Sequence, residues 1–387
     1  MKGKRLFFLD NLKMFIVNLM IIFHLAMCYM AYAPEWWYVV DAEHSDLFFT
    51  QFILWADIFI MPIMFFVAGY FGIMSLKKHG DSKWWKGRIK RITIPWIVGA
   101  ALFAAPTSYL TLYSRHIPMD FATFCNTLFF FDPQTGGSGV FFSHVQYWYL
   151  GILTVLYLLM YLFSKVNPGM LEQSAPSKPG NTLLWCVFIM IFCNIFAMDL
   201  ITGNDDLWIH LSYFLVLQPC RILLYVLFIF LGAYAWKHQW FAEGEESYRP
   251  SFVKWVPLFC VASVSYPVWA IFGKLIATSL YEFVLIKATL QASLLMSAVF
   301  GLLALFSQFL DGTNKFWGEM AANSYTMYYC HMQIVFPVAY FLLPIDLPAA
   351  AKWIMACAIG LVLTYCVSRL LLFLPCFAGS KKAKVAA

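Results

Sequence analysis

The stretch at residues 12–32, LKMFIVNLMIIFHLAMCYMAY, has one Lys near its start, one Asn and one His, and is otherwise apolar or aromatic without a break. A helix rises about 1.5 Å per residue, so roughly 20 such residues cross the hydrocarbon of a bilayer. Read this way, the stretch is a membrane span, with Lys2, Lys4 and Arg5 before it as a cytoplasmic anchor. Ala31-Tyr32-Ala33 imitates a signal-peptide cleavage site. However, Pro34 follows directly, and Asp10, Lys13, Asn18 and His24 punctuate the run. A retained first span is the expectation.

The rest of the chain repeats the pattern. Of its 387 residues, 62% are hydrophobic and 12% charged, whereas a soluble domain carries about 25% charged residues. Further apolar runs at 47–76, 92–113, 142–164, 181–201, 211–236, 252–273, 281–310, 318–343 and 350–376 bring the expected spans to ten. The run at 281–310 is long enough to hide a break. Clusters such as Trp36-Trp37-Tyr38, Trp84-Trp85 and Trp148-Tyr149 sit near span ends, as interfacial belts do. With the N-terminus inside, nineteen of the 26 Lys and Arg residues fall in inner segments, and only Arg115, Lys274 and Lys352 fall in outer loops. The positive-inside rule asks for that bias. The expected fold is all-α: a polytopic integral membrane protein of about ten transmembrane helices, both termini cytoplasmic, with 1–387 as one transmembrane domain.

Composition also excludes function classes. The net charge of +6 sits in short loops between apolar runs, so the partners are membrane lipids and no nucleic acid. The ten cysteines lie mostly inside apolar runs and form no C-x-x-C pair, as packing thiols do. No metal site is expected, because His24 and His331 lack a third ligand at recognisable spacing. The Gly-rich stretch 132–139 is not preceded by a strand or closed by Lys-Ser/Thr, so it is not a phosphate loop. No internal repeat stands out.

Ionisable side chains inside spans cost at least about 2.5–3.5 kcal/mol at mid-bilayer, so they are functional candidates and need partners. Lys13 and His24 are eleven residues apart, which returns them to nearly the same helix face, about 16 Å apart along the axis. Asp57 on the second span, Arg221 on the sixth and His331 on the ninth fall at a depth similar to that of His24. The plainer readings are that Lys13 snorkels to the interface, that Asp57 and Arg221 neutralise one another, and that the histidines pack helices. Seven basic residues lie in the inner loop 77–91, among them Arg88 and Arg91. The loop anchors topology at anionic headgroups, and its guanidinium forks also suit phosphate groups.

Several motifs in order carry a family resemblance. Asp10-Asn11-Leu12-Lys13 is followed after ten residues by His24; Met61-Pro62 precedes Phe65-Phe66-Val67-Ala68-Gly69-Tyr70-Phe71. Arg88-x-x-Arg91 leads to Ile94-Pro95, and Ser324-Tyr325-x-x-Tyr328-x-x-His331 lies on the ninth span. Together they resemble the acyltransferase family 3 membrane proteins, in particular the branch with glucan-modifying succinyltransferases. The chain departs from the family in lacking its Gly-Val-Asp ahead of the second-span glycine; Asp57 stands 12 residues before Gly69.

The resemblance implies transfer of an acyl group, acetyl or succinyl, from cytoplasmic acyl-CoA to a hydroxyl of an extracytoplasmic or membrane-bound glycan. Acyl-CoA would be a donor substrate, with no permanently bound cofactor. On this reading Arg88 and Arg91 hold nucleotide phosphates, and the pantetheine arm runs past Lys13 to His24, the general base. Asp57 orients the imidazole, while Arg221 or His331 stabilises the oxyanion. The expected location is a bacterial inner membrane. The rival reading is a proton-coupled transporter or flippase that uses the same charges for an anionic or glycan substrate.

Overall fold

The computed structural model describes residues 5–32, 39–129, 144–203, 207–211, 215–244 and 247–377; the 132–139 stretch and the Trp36-Trp37-Tyr38 cluster lie outside them. Among the described residues nine helical segments are long and apolar enough to cross a membrane: Phe7–Tyr29, Leu47–His79, Asp81–Ser114, Tyr147–Val166, Asn181–Thr202, Pro219–Lys237, Phe252–Leu275, Leu280–Phe309 and Ala349–Leu371. They match nine of the ten runs read from the sequence and keep those ordinal numbers here, the last being the tenth span. The ninth run is not one rod. Helix Lys315–Cys330 ends at His331, and a second helix, Met332–Leu342, follows. The 281–310 run is a continuous helix, Leu280–Phe309. Among the described residues the strands are a two-residue ribbon, Ile209–His210 with Val216–Leu217, so the architecture is an all-α, multi-pass membrane bundle.

Prolines set the irregularities. The second span consists of Leu47–Asp57 and Ile60–His79. Pro62 occupies the first turn of the second helix, where a missing N–H costs nothing. The third span widens into a π turn at Ile89–Thr93 just ahead of Pro95. Proline cannot donate to the carbonyl four residues earlier, here that of Arg91. The Tyr325 hydroxyl donates to that carbonyl instead, and the Tyr329 hydroxyl donates to the Pro95 carbonyl at 3.1 Å. A second π turn, Ala100–Ala104, precedes Pro106.

The apolar motif of the second span packs against the sixth through glycine. A Cβ on Gly69 would stand 1.9 Å from the Ile229 carbonyl oxygen, and one on Gly232 would stand 2.0 Å from that of Phe66. Both separations are far below van der Waals contact, so the two backbones touch where only hydrogen fits. Small residues serve helix association in lipid in this way, because apolar burial alone gives no drive there.

Loops on each side of the bundle lock to one another. On the side rich in Lys and Arg, Lys165 pairs with Asp81 at 2.5 Å and Arg249 with Asp311 at 3.4 Å. On the opposite side the buried Lys352 pairs with Asp41 at 2.5 Å. There the His44 ring lies 3.1 Å from Asp41 and 3.2 Å from Asp346. Its hydrogen bond to Asp41, then that to Asp346, raise the His44 pKa above its ordinary value against opposition from burial and Lys352.

Candidate active site

Two cavities in the bundle hold most of the residues singled out in the sequence. The larger, about 710 Å³, is lined by His24, Asp57 and Arg221 together with aromatic rings and the amides Gln146, Gln218 and Gln291; Tyr32 and Lys274 belong to its end away from the basic side. The smaller, about 410 Å³, is lined by Arg5, Asp10, Lys13, Arg88 and Arg91. Tyr149 and Tyr328 line both.

In the larger cavity the break after Asp57 leaves that residue's carbonyl without a helical donor. Arg221 takes it at 3.2 Å through one nitrogen and pairs with the Asp57 carboxylate through another. The sequence-based pairing of these two therefore describes the geometry, and the two charges cancel locally. Arg221 is 15% exposed and Asp57 36%, so the carboxylate edge is the part open to the cavity.

His24 stands about 25 Å up the first helix from Phe7, at 1.5 Å per residue, well above the basic face. Its ring is half-buried on the wall of the larger cavity. His331 lies beside it, ring centroids 5.1 Å apart at 69°. That imidazole is fully buried and is absent from the lining of both cavities. The Tyr328 carbonyl 2.6 Å from its Nδ1 can only accept, so Nδ1 carries hydrogen and Nε2 is the basic nitrogen of the neutral ring. This contact sits at the break of the ninth span. Gln146 holds both sides of the break, donating to the Tyr329 carbonyl at 2.7 Å and to Gln333 Oε1 at 2.9 Å.

In the smaller cavity Arg88 is set by its neighbours. Its guanidinium lies 4.7 Å from the Tyr157 ring centroid and 5.3 Å from that of Trp84. Trp84 is itself fixed by a 3.1 Å bond from its indole nitrogen to the Gly72 carbonyl. The π turn after Arg88 carries Arg91 to the same cavity, and π turns often mark functional sites. Lys13 joins them from the first span.

The mid-depth group and the basic group expected from the sequence are thus two separate groupings. His24, Asp57 and Arg221 share one cavity with His331 behind, while Lys13, Arg88 and Arg91 share the other. Lys13 and His24 lie along one helix as their spacing requires, but the walls formed by Tyr149 and Tyr328 stand between their cavities. Sequence reading passed over three features. One is the contact between Tyr149 and Tyr328, each of which was read only within its own motif. Another is Gln146, whose Oε1 is buried on the cavity wall without a hydrogen-bond partner. The third is an ion pair between Asp199 and Lys287 at 3.2 Å, with only 6% and 13% of the two side chains exposed. A signal for that pair existed: Asp199 is the one charged residue of the 181–201 run, and Lys287 lies inside the 281–310 run. Polar aromatics and amides in a chain this rich in both give none. Among the described residues no group of His, Cys, Asp and Glu could hold a metal ion.

Comparisons with known proteins bear on this geometry. A family model described as an acyltransferase domain matches residues 6–373. The chain is 26% identical over 238 residues to "Glucans biosynthesis protein C" of Escherichia coli strain K12, covering 60% of this chain and 58% of the relative. The proteins of the same name from strain SMS-3-5 / SECEC and from O6:K15:H31 (strain 536 / UPEC) match at the same identity and coverage. The matched region thus spans somewhat over half the length of these curated relatives. No solved structure matches significantly.

Proposed function

We propose, for a chain that belongs to the acyltransferase family 3 membrane proteins, that it moves an acyl group from cytoplasmic acyl-CoA to a hydroxyl of a glycan on the far side of the membrane. The observation that carries the reading is the pair of cavities. One is cationic and lies on the side whose loops hold most of the Lys and Arg; the other holds an imidazole, a carboxylate and neutral hydrogen-bonding groups. We take the basic side as cytoplasmic and the membrane as a bacterial inner membrane, in keeping with the relatives' source.

The donor reading rests on charge and shape. Lys13, Arg88 and Arg91, beside an Arg5 that pairs with Asp10 at 2.9 Å, give the smaller cavity three further cations, which suits the phosphates of CoA. The acyl group, acetyl or succinyl by resemblance, would lead towards His24. The acceptor reading rests on the larger cavity, where the buried Oε1 atoms of Gln146 and Gln291 have no hydrogen-bond partner. Such atoms favour a ligand that donates O–H groups. Trp148 and Trp208 rings on the same wall offer apolar faces to a sugar, and a glucan acceptor agrees with the relatives' printed name.

His24 would take the proton of the attacking hydroxyl as its oxygen bonds to the thioester carbonyl carbon. The C–S bond breaks, and the proton passes to the leaving CoA thiolate. A general base in this role contributes about 10²–10⁴ in rate. The Asp57–Arg221 pair lies on the same wall to stabilise charge as it develops. His331, fully buried behind the ring, would fix the imidazole's orientation. The transporter reading drew on the same charges, and family membership favours the enzyme.

The test is CoA release. Purified protein is incubated with acetyl-CoA or succinyl-CoA and a glucan acceptor, and free thiol is measured for wild type and His24→Ala. A fall of at least 100-fold in the variant is expected; unchanged turnover would remove His24 as the base.

A further inference from the structure

The donor and acceptor cavities have different chemistry, yet they meet at two aromatic side chains. Tyr149 and Tyr328 are the only residues named in the linings of both among the described residues. Tyr149 is 4% exposed and Tyr328 2%, and their rings pack edge to face at 5.4 Å and 70°. Each ring is held from behind. Phe65 lies 4.9 Å from Tyr149. The Tyr328 hydroxyl donates to the Gln146 carbonyl, and the Tyr328 carbonyl accepts from His331. The pair therefore joins the fourth span to the ninth where the ninth is broken, one helical turn below the imidazole that faces His24.

We infer that Tyr149 and Tyr328 form a septum that separates the donor cavity from water in the acceptor cavity, and that the acyl thioester passes only once it is displaced. This rests on the acyl-transfer reading above for its chemistry, but not for its geometry. A thioester at His24 has two available nucleophiles. If an acceptor hydroxyl attacks, its oxygen bonds to the carbonyl carbon, the C–S bond breaks and its proton goes to CoA thiolate. If water attacks, the same bond breaks and the products are free carboxylic acid and CoA thiol. A base adequate for the first reaction is adequate for the second, so the chemistry alone gives no preference. A closed aromatic wall gives one, because the rings move only when a bound acceptor presses on them from the larger cavity, and the thioester then enters a cavity from which that acceptor has displaced the water. Tyr149 and Tyr328 are thus positioning residues.

The experiment uses full-length protein in proteoliposomes and two readouts. The first is CoA release from acyl-CoA without acceptor, compared with release when glucan is present. In wild type the acceptor-free rate is expected to be a small fraction of the coupled rate. Tyr149→Ala is expected to raise that fraction at least tenfold, while Tyr149→Phe, which keeps the ring, stays as wild type. Tyr149→Leu serves in the same test if the alanine variant does not purify as a folded protein. The second readout needs no turnover. Met20→Cys, on the wall of the acceptor cavity, in a background where the donor-cavity thiol is removed by Cys376→Ser, is offered a membrane-impermeant thiol reagent from the basic side. It is expected to react slowly with Tyr149 in place and at least tenfold faster with Tyr149→Ala. An unchanged acceptor-free fraction, or equal labelling of the two backgrounds, overturns the septum. If no protein, wild type included, releases CoA even with acceptor, the acyl-transfer reading fails while the labelling still decides whether the wall exists.

Discussion

The hydroxyl of Tyr325 donates to the carbonyl of Arg91, the acceptor that Pro95 leaves without its helical donor. Two segments 234 residues apart are joined there by this bond and by that from Tyr329 to the Pro95 carbonyl, and the first has a free acceptor because proline cannot fill it. From Tyr325 the same helix leads one turn on to Tyr328, then to His331 against His24. The phosphate-suited turn and the imidazole pair are thus mechanically one unit.

Removing that hydroxyl tests the link. Tyr325→Phe removes a hydrogen bond at an exposed carbonyl, which costs about 0.5–1.5 kcal/mol. A lower melting temperature in detergent is expected, together with a KM for acyl-CoA several-fold higher and a smaller change in kcat. Equal loss in both constants would place the effect at the chemical step instead.

The Asp57–Arg221 pair predicts non-additive damage. Removing one partner of a buried pair typically costs about 3–5 kcal/mol, and replacing both costs much less. Asp57 is partly exposed, so Arg221→Met, which leaves the carboxylate unpaired, should destabilise towards the lower end of that range. Asp57→Asn with Arg221→Met should recover part of the loss in a double-mutant cycle read by thermal unfolding.

Phosphate recognition predicts salt-linked affinity. For Arg88→Ala and Arg91→Ala, CoA binding measured by calorimetry should weaken at least tenfold each at low ionic strength. The difference from wild type should shrink as salt is added. A deficit that salt leaves unchanged would speak for packing, which Arg88 shares through Tyr157 and Trp84.

The His44 contacts predict a pH dependence of known sign. The pKa of His44 is raised in the folded chain, chiefly by Asp41 and then Asp346. The folded state therefore holds the proton more tightly. Its stabilisation is fully present below the ordinary histidine value and is lost as pH rises through the raised one. Melting temperature measured from pH 5 to 9 should fall across that window in wild type. His44→Gln should flatten the fall, and an identical profile would dismiss the contact.

Gly69→Ala probes the close approach of the second and sixth spans. A methyl group would stand 1.9 Å from the Ile229 carbonyl oxygen, and the obstacle is backbone, so the helices must part. A loss beyond the usual 1–3 kcal/mol for overpacking is expected, seen as little folded protein on size exclusion.

Much of this was readable in the residues. Run lengths and the Lys/Arg asymmetry reveal spans because hydrocarbon thickness and membrane electrostatics act on composition directly. His24, Asp57 and Arg221 stood out because a charge in lipid must be explained. The broken ninth span was not legible as two helices, since His331 is no helix breaker in itself and the break is bridged by Gln146 from across the bundle. Nor could the spacing of Lys13 and His24 show separate cavities. Helical periodicity fixes which face a residue is on but says nothing about a ring from another span lying between them.

The fifth and eighth spans carry one further implication. Asp199 and Lys287 satisfy each other in the finished bundle, but 88 residues separate them in the order of synthesis. At about 5–20 residues per second, the nascent fifth helix waits roughly 5–20 s before its counter-ion is made. Over that interval the carboxylate, in the last turn of its helix, lies without this partner at the far end of the span. Docking of the fifth helix on the eighth through this pair therefore follows synthesis of the eighth, and a pair outside the chemistry sets the order in which these two spans join.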